Sequence, residues 1–460
     1  MRSTAKTMRG RCFMKHSLDR IKNLMEQRQF AVLRQEISEM NTADIAALFE
    51  ELPSDQVVKI FRLLPKSMAA DIFSYLPLED EQAIISRLTD HEAATIIDNL
   101  YADDAADIME EMPASVVKKI LSQASPETRR DINHLLQYPE DSAGSVMTVE
   151  FIDIKENQTV DDAIRIIRRD GIDKETIDVC YVLSPSRKLL GTVSLRRLLL
   201  SQPDERIGNI MHENLITITT LTDQEEVARI FQKYDFNTMP VVDSEERLVG
   251  IITVDDVVDI VTQEATEDIE VMAAITPTDK SYMKTGVFET WKKRIPWLLL
   301  LMISATFTGK IIQFYENALA ACVILTSFIP MFMDTGGNAG GQASATIVRG
   351  ISLGDIMFKD IFRIMWKELR VGILVGATLA VANFGKLMLF DKVTVPIALV
   401  VCLTLVITVI LAKLVGCTLP LLAKKIGFDP AVMASPFITT IVDALSLIIY
   451  FRIASLLLGI

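Results

Sequence analysis

The pattern of the chain changes at about residue 295. From there apolar residues run with little interruption over residues 295–315, 318–347, 371–390, 393–412 and 431–451. Each run reaches or approaches the roughly 20 residues that a helix needs to cross a bilayer, so five membrane helices are predicted. The second run is broken by residues 330–342, Pro-Met-Phe-Met-Asp-Thr-Gly-Gly-Asn-Ala-Gly-Gly-Gln. Hydrocarbon cannot hydrogen-bond an open backbone, so such a Gly-rich polar stretch at membrane depth is expected to be buried in protein or to line a water-filled path. Its glycines either let helices approach closely or leave carbonyls open.

Upstream the pattern is shorter in period. Residues 40–124 repeat every 12, marked by Leu52-Pro53, Leu64-Pro65, Leu76-Pro77, Leu88-Thr89, Leu100-Tyr101 and Met112-Pro113. Each unit reads as one helix of two to three turns closed by a turn, too short to be stable alone. Stacked together, the units predict a helical solenoid. A longer repeat follows. Ser145-Val-Met-Thr148 recurs as Asn209-Ile-Met-His212, Ala163-Ile-Arg-Ile-Ile167 as Val227-Ala-Arg-Ile-Phe231, and Leu189-Leu-Gly-Thr-Val-Ser194 as Leu248-Val-Gly-Ile-Ile-Thr253. Alternating short strands and helices in two copies predict a pair of packed α/β modules.

These copies resemble the tandem CBS module, whose cleft in that family often binds adenine nucleotides. At the position where many such modules hold a ribose with an Asp, the second copy has Asp256 and the first has Arg197. Both a nucleotide site using Asp256 and a regulatory or dimerising scaffold without nucleotide are compatible with that.

Composition and charge sharpen the picture. At 460 residues, the chain is long enough for about three domains of roughly 150 residues, and its net charge of −13 falls almost wholly upstream of the apolar runs. That sign disfavours a nucleic-acid partner. Lys292, Lys293 and Arg294 precede the first run, Arg349, Lys359, Arg363, Lys367 and Arg370 separate the second from the third, and Lys424 and Lys425 separate the fourth from the fifth. The positive-inside rule then puts the N-terminal region in the cytoplasm and Ile460 outside. The basic residues near the start have no apolar core behind them, so no signal peptide is expected. Five scattered cysteines suit a reducing compartment, and four scattered histidines disfavour a transition-metal site. No nucleophile–base pair or phosphate loop is present, so an enzyme is not expected.

Two acidic clusters remain. Asp103, Asp104, Asp107, Glu110 and Glu111 lie together without a basic residue, and so do Asp255, Asp256, Asp259, Glu264, Glu267, Asp268, Glu270 and Asp279. Like charges at helical spacing repel, and basic partners or a divalent cation would compensate. In the last apolar run, Pro436, Thr439, Thr440, Asp443 and Leu447 share a stripe, and Asp429-Pro430 reads as the start of that helix. An Asp at membrane depth costs about 2.5–3.5 kcal/mol and marks an ion or substrate pathway by default. The competing reading pairs Asp443 with Lys310 or Lys386.

Taken together, the acidic helical repeat (1–138), the tandem CBS pair (139–262, as 139–202 and 203–262), the acidic linker helix (263–290) and the five-helix membrane domain (291–460) resemble the MgtE family of magnesium channels. The motifs Pro330 with Gly337-Asn-Ala-Gly-Gly-Gln342, and Asp429-Pro-Ala with Pro436-Phe-Ile-Thr-Thr-Ile-Val-Asp443, carry that resemblance. It implies a lipid-embedded homodimer in the plasma membrane, taking up magnesium through a pore formed with Asp443, Thr439 (by its carbonyl) and Asn338. It further implies regulatory magnesium at Asp103, Asp107, Asp256, Asp259, Glu264, Glu267 and Asp268, a further CBS site at Asp223, Glu225 and Asp235, a role for Asp429 near the inner mouth, and a gating plug in the linker helix. ATP at the CBS pair is a second implied ligand. The alternatives are a secondary transporter of Co2+ or Mn2+, and a membrane-anchored nucleotide sensor.

Overall fold

The computed structural model describes residues 16–110, 112–278, 282–283, 285–433 and 435–459. The chain forms two compact units, residues 1–259 and 260–460.

Among the described residues the first unit opens with ten helices: α1 (residues 16–26), α2 (Phe30–Ser38), α3 (Thr42–Glu50), α4 (Ser54–Phe61), α5 (Lys66–Phe73), α6 (Leu78–Ile85), α7 (Asp90–Ile97), α8 (Ala102–Glu110), α9 (Ala114–Gln123) and α10 (Pro126–Leu135). Each period mark sits at a helix start. Pro53, Pro65, Pro77 and Pro113 occupy the N-cap positions of α4, α5, α6 and α9, where a missing N–H does no harm. At α7 the mark is Thr89, which closes a capping box with Glu92. Helices two apart pack on each other, α3 on α5 and α5 on α7, so alternate units share one core that includes Ile45, Phe49, Ile60, Phe73 and Ile97.

Two three-stranded sheets follow. β1 (Ile152–Ile154) pairs parallel with β2 (Val179–Leu183), which pairs antiparallel with β3 (Leu189–Ser194). β4 (Ile218–Thr219), β5 (Thr238–Val242) and β6 (Leu248–Thr253) repeat this order, with a register shift at the corresponding place. Helices α11 (Val160–Asp170), α12 (Leu195–Leu200), α13 (Ile207–Ile210) and α14 (Gln224–Tyr234) are interleaved with the strands. The repeated motifs are reciprocal. Thr148 of the first Val-Met-Thr pairs with Ile251 of β6, and His212 of the second pairs with Thr192 of β3. Gly250 and Gly191 are the reason this closes: a Cβ there would come within 2.7 Å of the Met147 sulfur and 2.8 Å of the Met211 sulfur.

Helix α15 (Val254–Met272) is one continuous 19-residue helix in which the boundary between the units falls. The expected division at residue 263, between CBS pair and linker helix, therefore cuts through a helix; Thr253 and Asp256 start it ten residues earlier, and no Gly or Pro interrupts it.

The second unit holds α16 (Val287–Phe314), α17 (Glu316–Ala321), α18 (Ile329–Ser352), α19 (Ile361–Lys386), α20 (Val395–Lys425) and α21 (Ser435–Leu458). Among the described residues four stretches are long and apolar enough to cross a membrane: Val287–Phe314, Phe358–Asp391, Val395–Lys425 and Pro430–Leu458. The fifth expected crossing differs from its prediction. It is α18, 24 residues long, preceded by the short α17 and a 3-10 turn over Val323–Phe328. The Gly-rich stretch does not break it; residues 330–342 are helical throughout. Helix α18 packs against both α20 and α21, α19 packs against α20, and α16 against α21. The glycines face that packing, which compensates for their low helix propensity. A Cβ on Gly337 would lie 2.6 Å from Thr439 Cγ2, one on Gly336 2.7 Å from Val442 Cγ1, and one on Gly340 2.5 Å from Ile438 Cγ2. A Cβ on Gly416 of α20 would overlap the Gly340 carbonyl. Of the two roles open to these glycines, the structure uses close approach.

Candidate functional site

In the second unit, α18 has two faces. Its buried face carries Gly336, Gly337, Ala339, Gly340, Ala343 and Ser344. Asp334, Asn338 and Gln342 recur at i, i+4 and i+8 on the exposed face, and Asn338 Nδ2 donates to Asp334 Oδ1 at 3.2 Å. Asp334 lay within the stretch singled out from sequence but had no assigned role; its spacing from Asn338 was the available signal. On its buried face α18 meets α21 where Gly337 packs against Thr439, four residues before Asp443. The Thr439 and Thr440 hydroxyls donate to the Pro436 carbonyl, at 2.8 and 3.1 Å.

Asp443 Oδ1 is buried and has no hydrogen-bond partner. The competing reading for Asp443, a pair with a membrane lysine, is not what the structure shows. Lys386 lies 3.2 Å from Asp391, and the deepest lysine, Lys413 of α20, lies 3.7 Å from Glu368 of α19. The Lys413–Glu368 pair is buried, with side chains 6% and 15% exposed. It escaped the sequence reading because the apolar runs were ended at charged residues, whereas α19 starts at Ile361 and α20 continues to Lys425. Asp429 also differs from its prediction. It does cap, accepting from the Ala431 N–H at 2.7 Å, but it caps a 3-10 turn over Pro430–Met433, and α21 begins at Ser435.

At the start of this unit, Asp268 of α15 accepts from the hydroxyl of Ser352, the last residue of α18, at 3.1 Å. Burial raises the Asp268 carboxyl above its ordinary range, the Ser352 hydrogen bond opposes that, and the charge of Asp429 adds to it. Thus the linker helix is bonded to the helix that bears the polar stripe. Glu264 is half-buried and Glu267 exposed on the same helix.

In the first unit, carboxylates from five parts of the chain come together. Burial, followed by the charges of Asp104, Asp256 and Glu175, raises Asp103 well above the usual range. Burial and then Asp256, Asp255 and Glu150 push Asp104 up to about 7. Asp107 is raised to about 7 by burial, then Asp104, Glu110 and Asp256. Two members were absent from the predicted set. Glu81 of α6, only 5% exposed, is pushed up to about 8 by burial and by Asp104 and Asp107. Glu175 is pushed up to about 8 by burial and by Asp256, Asp255 and Asp104. No local pattern marks either, since each meets the others only through the fold. Asp103 Oδ1 is buried without a hydrogen-bond partner, and the Asp256 Oδ2 accepts from the Thr253 hydroxyl at 2.7 Å.

These oxygens have the hardness that magnesium prefers, and an unpartnered buried carboxylate oxygen fits a cation. Among the described residues, however, no three acids converge closely enough to form a direct coordination set. Asp223 and Glu225 lie at the start of α14, where Asp223 Oδ1 accepts from the Glu225 N–H at 2.9 Å, while Asp235 forms its C-cap. An 11-residue helix separates them by roughly 16 Å, so within one chain they do not converge.

Comparison with known proteins bears on this arrangement. A family model described as MgtE, divalent cation transporter, matches residues 329–453; the MgtE intracellular N domain matches 40–141, and the CBS domain matches 143–203 and 207–262. Magnesium transporter MgtE of Thermus thermophilus is 40% identical over 334 residues, covering 72% of this chain and 74% of the relative. Its namesake from Bacillus subtilis is 37% identical over 339 residues, covering 73% and 74%. Among solved structures, the cytosolic domain of the Mg2+ channel MgtE in complex with ATP is 36% identical with a TM-score of 0.50, covering 52% of this chain and 98% of that one. The soluble part of a magnesium transporter is 29% identical with a TM-score of 0.53, covering 55% and 99%.

Proposed function

The chain belongs to the MgtE family of magnesium transporters, and from that premise we propose that it is a homodimeric magnesium channel of the plasma membrane, closed by magnesium on its cytoplasmic side. The observation that carries the conducting role is Asp443: a carboxylate on a membrane-spanning helix, one oxygen buried and unpartnered, next to a helix with an exposed row of Asp334, Asn338 and Gln342. Polar rows are costly against lipid and belong on a water-filled path or against protein.

Magnesium dehydrates reluctantly and usually contacts one or two carboxylates while keeping several waters. Two copies of Asp443 on a twofold axis supply that charge. The Thr439 carbonyl and the Asn338 amide supply neutral oxygens, and this combination holds a hydrated ion weakly enough to release it. Asp429 takes its place near the inner mouth, and the N-terminal region lies in the cytoplasm with Ile460 outside.

Regulatory magnesium would be held by Asp103, Asp107 and Asp256, joined by Asp104, Glu81 and Glu175, and by Asp259, Glu264, Glu267 and Asp268 along α15. Asp223, Glu225 and Asp235 would contribute to separate contacts rather than to one shared ion within a chain. The ion supplies positive charge that offsets carboxylate repulsion. Several such sites acting together produce a steep population shift towards the compact state. Asp268, bonded to Ser352, is where that shift reaches the pore helix. ATP is the ligand we assign to the CBS pair, with Asp256 offering a carboxylate oxygen to the ribose; the related cytosolic domain is in complex with ATP.

The test is magnesium flux through purified protein in liposomes containing a magnesium-sensitive dye. Asp443→Ala is expected to abolish flux while leaving the protein folded and dimeric by size-exclusion chromatography. Unchanged flux in that variant would remove Asp443 from the path, and flux strictly coupled to protons or sodium would make the protein a secondary transporter.

A further inference from the structure

The first three turns of α19 present a face to which the proposed function gives no role. Phe362, Arg363, Trp366, Lys367 and Arg370 are all exposed there, at the spacing of one helical face, with Phe362 and Trp366 82% and 60% exposed. The Arg370 guanidinium lies 5.7 Å from the Trp366 ring centre and its Nε donates to the Trp366 carbonyl at 3.3 Å. The acid in these turns, Glu368, points the other way and is committed to Lys413. Among the described residues, Arg363, Lys367 and Arg370 have no ion-pair partner. Three cations thus share a surface with two aromatic rings, at the charged end of a helix that crosses the membrane.

We propose that this face of α19 binds the headgroup of an anionic phospholipid. The three cations match a headgroup with net negative charge, whereas the ammonium of a zwitterionic headgroup would meet them unfavourably. Trp366 and Phe362 provide the apolar surface on which the upper acyl chain lies, as aromatic side chains do at membrane interfaces. A second copy seated with this face on the twofold axis is the poorer occupant, because it would bring these cations against each other.

The test uses the full-length protein with Trp291→Phe and Trp297→Phe, which leaves Trp366 as its single tryptophan. Quenching by brominated phosphatidylglycerol, measured against brominated phosphatidylcholine in reconstituted bilayers, gives the relative association constant at Trp366. A preference for the anionic lipid of at least ~5-fold is expected, since one basic residue at a membrane surface contributes about that factor. Substituting Arg363→Gln, Lys367→Gln and Arg370→Gln together should bring the ratio close to one. Removing two cations elsewhere, by Lys292→Gln and Arg294→Gln, should leave it in place. A ratio near one before those substitutions, its survival in the triple variant, or its loss in the α16 variant would each overturn the proposal. Absence of quenching by either lipid would do the same, and would point to a second copy covering the face.

Discussion

Replacing Gly416 by Ala tests whether the close approach of the membrane helices is as tight as it looks. Helix α20 meets α18 there almost backbone to backbone: a Cβ on Gly416 would overlap the Gly340 carbonyl oxygen and lie 3.0 Å from its carbon and 3.1 Å from its Cα. Carbon pairs prefer about 3.5–4.0 Å, so the helices must part by roughly 0.5–1 Å. A flexible side chain could swing away, but a backbone cannot. Helix α18 has little room to retreat, because on its far side a Cβ position on Gly340 is already 2.5 Å from Ile438 Cγ2 of α21. Overpacking of this kind costs about 1–3 kcal/mol, or about 2–4 °C of thermal midpoint per kcal/mol for a unit of this size. The displacement would also move the Asp334–Asn338 row relative to Asp443. The control is Gly309→Ala on α16, where a Cβ meets nothing within 4 Å; exchange there should be neutral or favourable by up to about 1 kcal/mol of helix propensity. Thermal stability and magnesium flux, measured on both variants, are expected to fall for Gly416→Ala and to hold for Gly309→Ala. Equal stability and flux in the two would refute the packing argument.

Glu368→Gln leaves Lys413 buried without its counter-charge and is expected to destabilise the membrane unit by about 3–5 kcal/mol, while the double variant with Lys413→Met should recover most of that; thermal unfolding of all three proteins decides it. Glu81 and Glu175 near 8, and Asp104 and Asp107 near 7, all titrate above the ordinary carboxyl range. Between about pH 4 and pH 8 the folded cluster therefore binds more protons than the unfolded chain, and its contribution to stability falls as pH rises. Limited proteolysis of the full chain without divalent cation should consequently be faster at pH 8 than at pH 6, and magnesium at pH 8 should slow it. Neutralising Glu264, Glu267 and Asp268 together should weaken that magnesium protection, and protection equal to the unsubstituted protein's would exclude them from the sensor.

How much of this was legible in the sequence depended on whether a feature was local. The 12-residue period was legible because each Leu-Pro mark does a local job: proline at an N-cap position ends one unit and begins the next. The CBS repeats could be counted, but the packing of Met147 and Met211 on the other copy's glycine is a long-range fact. Residues 330–342 read as a break because glycine disfavours helix in isolation; α20 and α21 packed against Gly336, Gly337 and Gly340 override that preference by a contact no side chain permits. Glu368 and Lys413 were hidden by the convention that a charge ends a membrane segment, which holds for lone charges and fails for a buried pair. Glu81 and Glu175 join acids 22 or more positions away, so only the fold could reveal them.

The two faces of α18 explain why a helix with such poor intrinsic propensity is used at this position. In the proposed pore Asp334, Asn338 and Gln342 must be turned away from lipid, and a row at i, i+4 and i+8 requires regular helix. The buried side of the same turns must then approach α20 and α21 at a distance set by backbone, since any bulk there would push the row away from Asp443. Glycine at Gly336, Gly337 and Gly340 meets both demands, and its low propensity is offset by the packing it allows. The helix ends at Ser352, where its hydroxyl reaches Asp268 of α15. A helix wedged tightly along its length transmits a pull at its end as a movement of the whole row, whereas a broken one would absorb it locally. The continuity of α18 is therefore part of how charge at Asp268 would reach Asn338, and a helix-breaking substitution such as Ala345→Pro, on its exposed side between the two, should uncouple cytoplasmic magnesium from flux at the level of gating.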